Sequence, residues 1–137
     1  MSVVNNLPQA SGGTETLLWT NTSPTTARSS LDCTLSENID GFTYIRVEYA
    51  YNNEAGQTPR FHVVFPVMNQ AGTNYAFPSG NSTQRMCIGL NNASGNAFVR
   101  QGYVNSATSI HWNNAYRVNT SGSTNGNLIP WYIYGLK

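Results

Sequence analysis

The chain has 137 residues and a formal net charge of +1, from 7 basic and 6 acidic side chains. Charged residues make up only 9% of the sequence, against about 25% in an average soluble domain. The length predicts one domain with one core, and the lack of a basic run argues against a nucleic-acid partner. No apolar stretch of the sequence reaches the roughly 20 residues of a membrane-spanning helix, so membrane insertion is not expected.

Small uncharged polar side chains take the place of the missing charges. The sequence contains 18 Asn, 14 Thr and 13 Ser, together 45 of the 137 residues. We therefore expect an exterior of amides and hydroxyls. With tyrosine and tryptophan, these groups suit uncharged polar ligands such as sugars, because aromatic faces stack on apolar sugar faces and amides bond to ring hydroxyls.

Residues 1–15 are expected to form an N-terminal linker, because Asn, Pro, Ser and Gly interrupt any apolar periodicity there. Residues 16–137 are expected to form the folded domain. In this region short β-rich runs alternate with turn-forming clusters at intervals of about ten to fifteen residues. The pattern predicts an all-β fold, an antiparallel β-sandwich with a jelly-roll-like arrangement of about eight strands.

Two predicted hairpins follow each other along the chain. Residues 42–51 and 60–66 alternate apolar and polar side chains, so we expect them to pair as antiparallel strands. Residues 84–91 and 97–105 are expected to form a second hairpin, because the Asn-rich turn between them tolerates left-handed backbone.

The C-terminal third predicts two more buried segments. Four apolar residues share one parity and are expected on one side of a strand: Ile110, Trp112, Tyr116 and Val118. The last segment, Leu128–Leu136, is apolar on both parities, which indicates either a central strand or packing against another subunit. Pro130 is expected at an edge or a bulge. The residues predicted for a subunit interface are Trp131, Ile133 and Leu136.

Cys33 and Cys87 are the only cysteines of the sequence. Two thiols are too few for a disulfide scaffold or a zinc site. We interpret them as two buried free cysteines, with a disulfide between them as the alternative.

The sequence offers little for catalysis. Asp32, Glu37 and Asp40 lie within nine residues and are interpreted as turn and cap residues, with calcium binding as the alternative. Glu48 opposite His62 is interpreted as a solvated cross-strand pair and not as an acid–base couple. A phosphate loop, a nucleophile elbow and a CxxC motif are all missing from the sequence. We expect a protein that is not an enzyme and that binds neither a cofactor nor a metal.

Polar loop residues are the candidates for ligand contact. Each could also be a turn residue without a ligand. The candidates are Tyr51, Asn52, Asn53, Asn74, Tyr75, Asn91, Asn92, Asn113 and Asn114.

Three segments together resemble a known family. Residues 17–24 read LLWTNTSP, residues 42–52 read FTYIRVEYAYN, and residues 129–137 read IPWYIYGLK. They are similar to the C-terminal head domain of bacteriophage tail fibres and receptor-binding proteins, of which the final segment is the more specific part. The similarity covers nearly the whole chain from about residue 14.

The resemblance implies an all-β head at the distal end of a tail fibre in the virion, usually a homotrimer. Such a head attaches the virion to a host cell-surface polysaccharide or protein, and residues 1–15 would join it to the rest of the fibre. The family has no fixed ligand motif, so no binding residue is carried over. Two alternatives stay open: a structural fibre or collar domain that binds no receptor, and a bacterial carbohydrate-binding module.

Overall fold

The computed structural model describes residues 13–51, 61–67, 86–92, 94–118 and 126–137. In these ranges two antiparallel sheets pack together as a sandwich, which confirms the predicted all-β fold. A short 3-10 turn at Ile39–Gly41 lies between the second and third strands. The nine strands described are β1 (Glu15–Thr20), β2 (Leu31–Thr34), β3 (Tyr44–Tyr51), β4 (Phe61–Pro66), β5 (Met86–Asn91), β6 (Ala97–Ser106), β7 (Ser109–Trp112), β8 (Tyr116–Arg117) and β9 (Leu128–Leu136).

The two sheets combine nested pairing with local hairpins. The first sheet has the order β1-β9-β3-β4, and the second has the order β2-β7-β6-β5, with the short β8 also paired to β6. The first strand pairs with the last and β2 pairs with β7, a nesting typical of a jelly roll. The central strands pair locally instead, and both predicted hairpins, β3–β4 and β5–β6, are confirmed.

Alternating side chains of both sheets form one core. On β3, the side chains of Ile45, Val47, Tyr49 and Tyr51 are all buried, as the alternation predicts. They meet the buried face of the second sheet, where the rings of Tyr51 and Phe98 lie 5.0 Å apart. The sandwich is therefore closed by aromatic contact between its layers.

The predicted common side for residues 110–118 is wrong in its second half. Ile110 and Trp112 are fully buried, but Tyr116 is 40% exposed and Val118 is 51% exposed. The chain leaves the ladder after Trp112 and pairs again only at β8, where Tyr116 stands opposite Val99 on the outer face. A parity count fails here because three residues outside a strand reset the alternation.

The final strand is central in the first sheet, between β1 and β3. Ile133, predicted at a subunit interface, is fully buried in the core of its own chain. Ile133 is thus not available to another subunit. The bulge expected at Pro130 is present, because Glu48 pairs with Tyr132 while Tyr49 pairs with Pro130.

The two cysteines are both free, but only Cys33 is buried as predicted. Cys87 is exposed on the outer face of β5, while Cys33 faces the core on β2. Burial raises the pKa of the Cys33 thiol far above its ordinary value, so this side chain stays protonated and unreactive.

Gly102 provides a test of the packing between β6 and β7. A Cβ at this position would overlap the indole ring of the buried Trp112, which pairs with Gly102 across the ladder. Gly102→Ala should therefore lower the free energy of unfolding by about 2–3 kcal/mol, measured by urea denaturation. At Gly41 nothing lies within 4 Å of an added Cβ, so Gly41→Ala should change the free energy of unfolding by less than about 0.5 kcal/mol. Equal effects of the two substitutions would contradict this packing.

Candidate functional site

The sandwich has two distinct ends, which we call the base end and the tip end. At the base end β1 begins and β9 ends, and the Lys137 backbone N–H donates to the Thr14 carbonyl over 3.1 Å. At the tip end Tyr51, the last residue of β3, pairs with Leu128, the first residue of β9. The nine residues of β9 separate the ends by about 27–30 Å.

The turn between β5 and β6 belongs to the tip end and carries two of the predicted ligand residues. Asn91 is exposed at the end of β5. The side-chain oxygen of Asn92 instead accepts the backbone N–H groups of Ser94 and Asn96 over 3.1 and 2.9 Å. Gly95 completes the turn with a φ of +77°, which favours glycine. Asn91 is free to meet a ligand, and Asn92 holds the turn.

Tyr51, which was predicted as a ligand contact, is buried. It is only 6% exposed and packs against Phe98 in the core. Tyr51 has the parity of Val47 and Tyr49 on β3, so its side chain points inward. Four of the other predicted ligand residues lie outside the described residues: Asn52, Asn53, Asn74 and Tyr75.

Asn113 and Asn114 lie on the segment between β7 and β8, away from the β5–β6 turn. Both backbone groups of Asn113 are hydrogen-bonded. Its N–H donates to the Gln101 carbonyl, and its carbonyl accepts from the Arg100 side chain. The side-chain oxygen of Asn114 is buried and has no hydrogen-bond partner in the part of the chain that the structure describes. Both asparagines are half-buried.

Arg100 organises the tip end and was missed in the sequence. Its side chain is fully buried, and its acceptors in the described ranges are all backbone carbonyl oxygens. They belong to Leu128 at 2.7 Å, Asn113 at 2.9 Å, Arg28 at 2.6 Å and Gly126 at 3.3 Å. Arg100 has the same parity on β6 as the buried Phe98 and Val104, and this pattern in the sequence could have indicated that its side chain is buried.

Burial lowers the pKa of Arg100 to about 10, so the guanidinium is still cationic at neutral pH. A buried cation is costly unless its N–H groups are satisfied, and here the carbonyls of three separate chain segments satisfy them. The segments that reach this cation are thereby fixed relative to β6. Its role is to position the loops at the tip end.

The outer face of the first sheet exposes three large hydrophobic side chains. Leu17, Tyr44 and Val64 are 47%, 46% and 45% exposed. Tyr44 pairs with Leu136, and Leu17 pairs with Tyr134, so these side chains adjoin in neighbouring rows. Leu136 and Trp131, both predicted at a subunit interface, are half-buried on β9.

One ion cluster lies within this face. Arg46 bonds to both Glu15 and Glu48, and its guanidinium lies 4.3 Å from the centre of the Tyr134 ring. Glu48, which is engaged by Arg46, also pairs with His62 across the strands, as predicted. The Asp32 carboxylate lies 2.6 Å from Nδ1 of His111 on the second sheet.

The described residues offer neither a metal-binding cluster nor a membrane-spanning helix. No group of three or more His, Cys, Asp or Glu side chains in those residues could hold a metal ion. Among the same residues there is also no helix long and apolar enough to cross a membrane.

Arg100→Met tests the role of the buried cation. The substitution keeps a long apolar stem but leaves buried carbonyls without donors, so it should lower the free energy of unfolding by about 3–5 kcal/mol. Arg28→Met is the matched control, because the Arg28 side chain is exposed, and it should cost less than about 0.5 kcal/mol. Chemical denaturation measures both variants. A similar, small cost for both would show that Arg100 does not hold the tip end together.

Comparisons with known proteins add no assignment to these observations. A scan against protein-family models found no match, and searches of curated proteins and of solved structures found none either.

Proposed function

We propose that this chain is the receptor-binding head of a bacteriophage tail fibre, which attaches the virion to a polysaccharide or protein on the host cell surface. One observation carries the proposal. The start of β1, to which residues 1–12 lead, lies at the base end, and the Asn-rich β5–β6 turn lies at the opposite, tip end. A head on a shaft needs this polarity, because the end away from the shaft meets the host first.

The chemistry of the surface supports the same proposal. With 9% charged residues and a net charge of +1, the head has no strong field to attract ions or nucleic acid. Neutral amides and hydroxyls recognise a neutral polar receptor through many weak hydrogen bonds. Weak single contacts suffice, because several heads on one virion raise the effective affinity by orders of magnitude.

The proposed assembly is a homotrimer that buries the outer face of the first sheet. Exposed Leu17, Tyr44 and Val64 form the kind of apolar surface that marks a subunit contact. Leu136, which pairs with Tyr44, extends this surface, whereas Ile133 does not contribute to it. The start of β1 in each subunit would then lie beside its neighbours at the base end.

The molar mass in solution tests the assembly. Light scattering coupled to size exclusion should give three times 15.0 kDa, about 45 kDa, for the native chain. Leu17→Glu combined with Tyr44→Glu should give a monomer, because two carboxylates would be buried without partners. Thr34→Glu, an exposed strand position on the second sheet, should remain a trimer. A monomeric native chain would contradict the assembly and favour a free carbohydrate-binding module.

Adsorption to cells tests the attachment function. The native head should bind to cells of the host strain and block infection when it is added before the phage. The Leu17→Glu, Tyr44→Glu variant should bind about a hundredfold more weakly, because it loses multivalency. A trimer that neither adsorbs nor competes on strains sensitive to the phage would instead indicate a structural fibre domain.

A further inference from the structure

The outer face of the second sheet changes character at the tip end. There β5, β6 and β8 lie side by side and present two cross-strand rows. The first row is Gly89, Val99 and Tyr116. In the second row Asn91 pairs with Ala97, and the Val118 N–H donates to the Ala97 carbonyl over 2.9 Å.

We call the patch formed by these two rows the bay. Its floor, between the two sides, consists of Gly89, Ala97 and Val99, which carry no side chain or a short one. On one side stand Tyr116 and Val118, 40% and 51% exposed. The exposed amide of Asn91 stands on the other side, and Gln101 on the next row of β6 continues the polar rim.

The walls of the bay are fixed before any ligand arrives. Arg117 lies on the opposite face of β8 and bonds to the side-chain oxygen of Asn96, which ties β8 to the β5–β6 turn. That turn is held by Asn92, and the connection before β8 is held by Arg100. Binding would therefore cost little ordering of the protein.

The size and charge of the bay select among ligands. The distance from β5 to β8 is two strand spacings, about 10 Å, and the two rows are about 7 Å apart. An area of these dimensions suits one or two pyranose rings. A stable protein contact needs about 800 Å² on each partner, far more than this area. The two rows contain no charged side chain, and Arg117, which follows Tyr116 on β8, faces away and is bonded to Asn96.

We propose that the bay binds an uncharged sugar residue of a surface polysaccharide, with the Tyr116 ring against the apolar face of the sugar and the Asn91 amide bonded to its hydroxyls. This inference rests on the proposed attachment function and narrows the receptor from polysaccharide or protein to a neutral glycan. One such contact is weak, with a dissociation constant of about 1 mM, and the three bays of the proposed trimer provide the multivalency.

Amide chemical shifts of the isotope-labelled head test the bay directly. The probes are maltotriose, cellotriose and triacetylchitotriose at about 10 mM, with trigalacturonate as an acidic comparator. At least one neutral trisaccharide should shift the amide resonances of Gly89, Ala97 and Val99, and trigalacturonate should not. Tyr116→Ala should weaken that binding about tenfold or more. Ala97→Tyr should abolish it by filling the floor.

Asn105→Ala is the matched control, since Asn105 is an exposed amide at the base end of the same strand, and binding should be unchanged. Three outcomes would overturn the inference. The shifts could lie only outside the bay, trigalacturonate could be the only trisaccharide that binds, or no neutral trisaccharide could cause a shift.

Whole-cell adsorption separates this inference from the proposed function. If Tyr116→Ala and Ala97→Tyr still adsorb like the native head, receptor binding stands and the bay is not its site. If protease treatment of the cells abolishes adsorption while periodate does not, the receptor is a protein and the inference fails. Loss of adsorption in both variants, with periodate sensitivity of the cells, supports the bay.

Discussion

The buried guanidinium of Arg100 is the interaction on which the tip end depends. A carboxylate partner would have neutralised it with one side chain, but four backbone carbonyls from three other parts of the chain share the cation instead. Each carbonyl accepts a charge-assisted hydrogen bond, which replaces the hydrogen bond from water that it would accept if it were exposed. The backbone carbonyls of Arg28, Asn113 and Gly126, which lie outside the strands, are thereby tied to β6.

Gly126 shows how closely these segments approach one another. A Cβ at this position would lie 2.8 Å from the backbone N and O atoms of Arg28, so a side chain would push the two segments apart. The Arg28 N–H donates to the Gly126 carbonyl over 3.0 Å, and both carbonyls also reach Arg100. The small residue and the buried cation act together, because the approach that glycine permits is the one that the guanidinium requires.

Strand alternation allowed most of the fold to be predicted. β9 was predicted with its observed bounds, and the β3–β4 and β5–β6 hairpins were predicted from their alternation and turn residues. The prediction that failed for Ile133 also has a physical reason. The two-sided apolar character of β9 has the same sequence signature whether its neighbours are β1 and β3 or another subunit, so Ile133 was misassigned.

The candidate site was harder to predict than the fold. Asn91 was identified because Asn marks turns, and Asn92 was included for the same reason, although its side chain is engaged in the turn. Tyr116 was assigned to the core because parity was carried across residues 113–115, which belong to no strand. A binding surface at strand ends depends on where the alternation is reset, and a single sequence does not mark that point.

The two outer faces of the sandwich suit different tasks. The face with Leu17, Tyr44 and Val64 would be covered by neighbouring subunits, and Arg46 on the same face is bonded to Glu15 and Glu48. If three such faces pack around an axis, the second sheet of each subunit must face outward, because the two faces lie on opposite sides of one core. The bay would then be repeated three times around the tip, directed sideways and away from the shaft. A polysaccharide chain running past the fibre could meet more than one bay, so the same packing that hides the apolar face would create the multivalency that weak sugar contacts require.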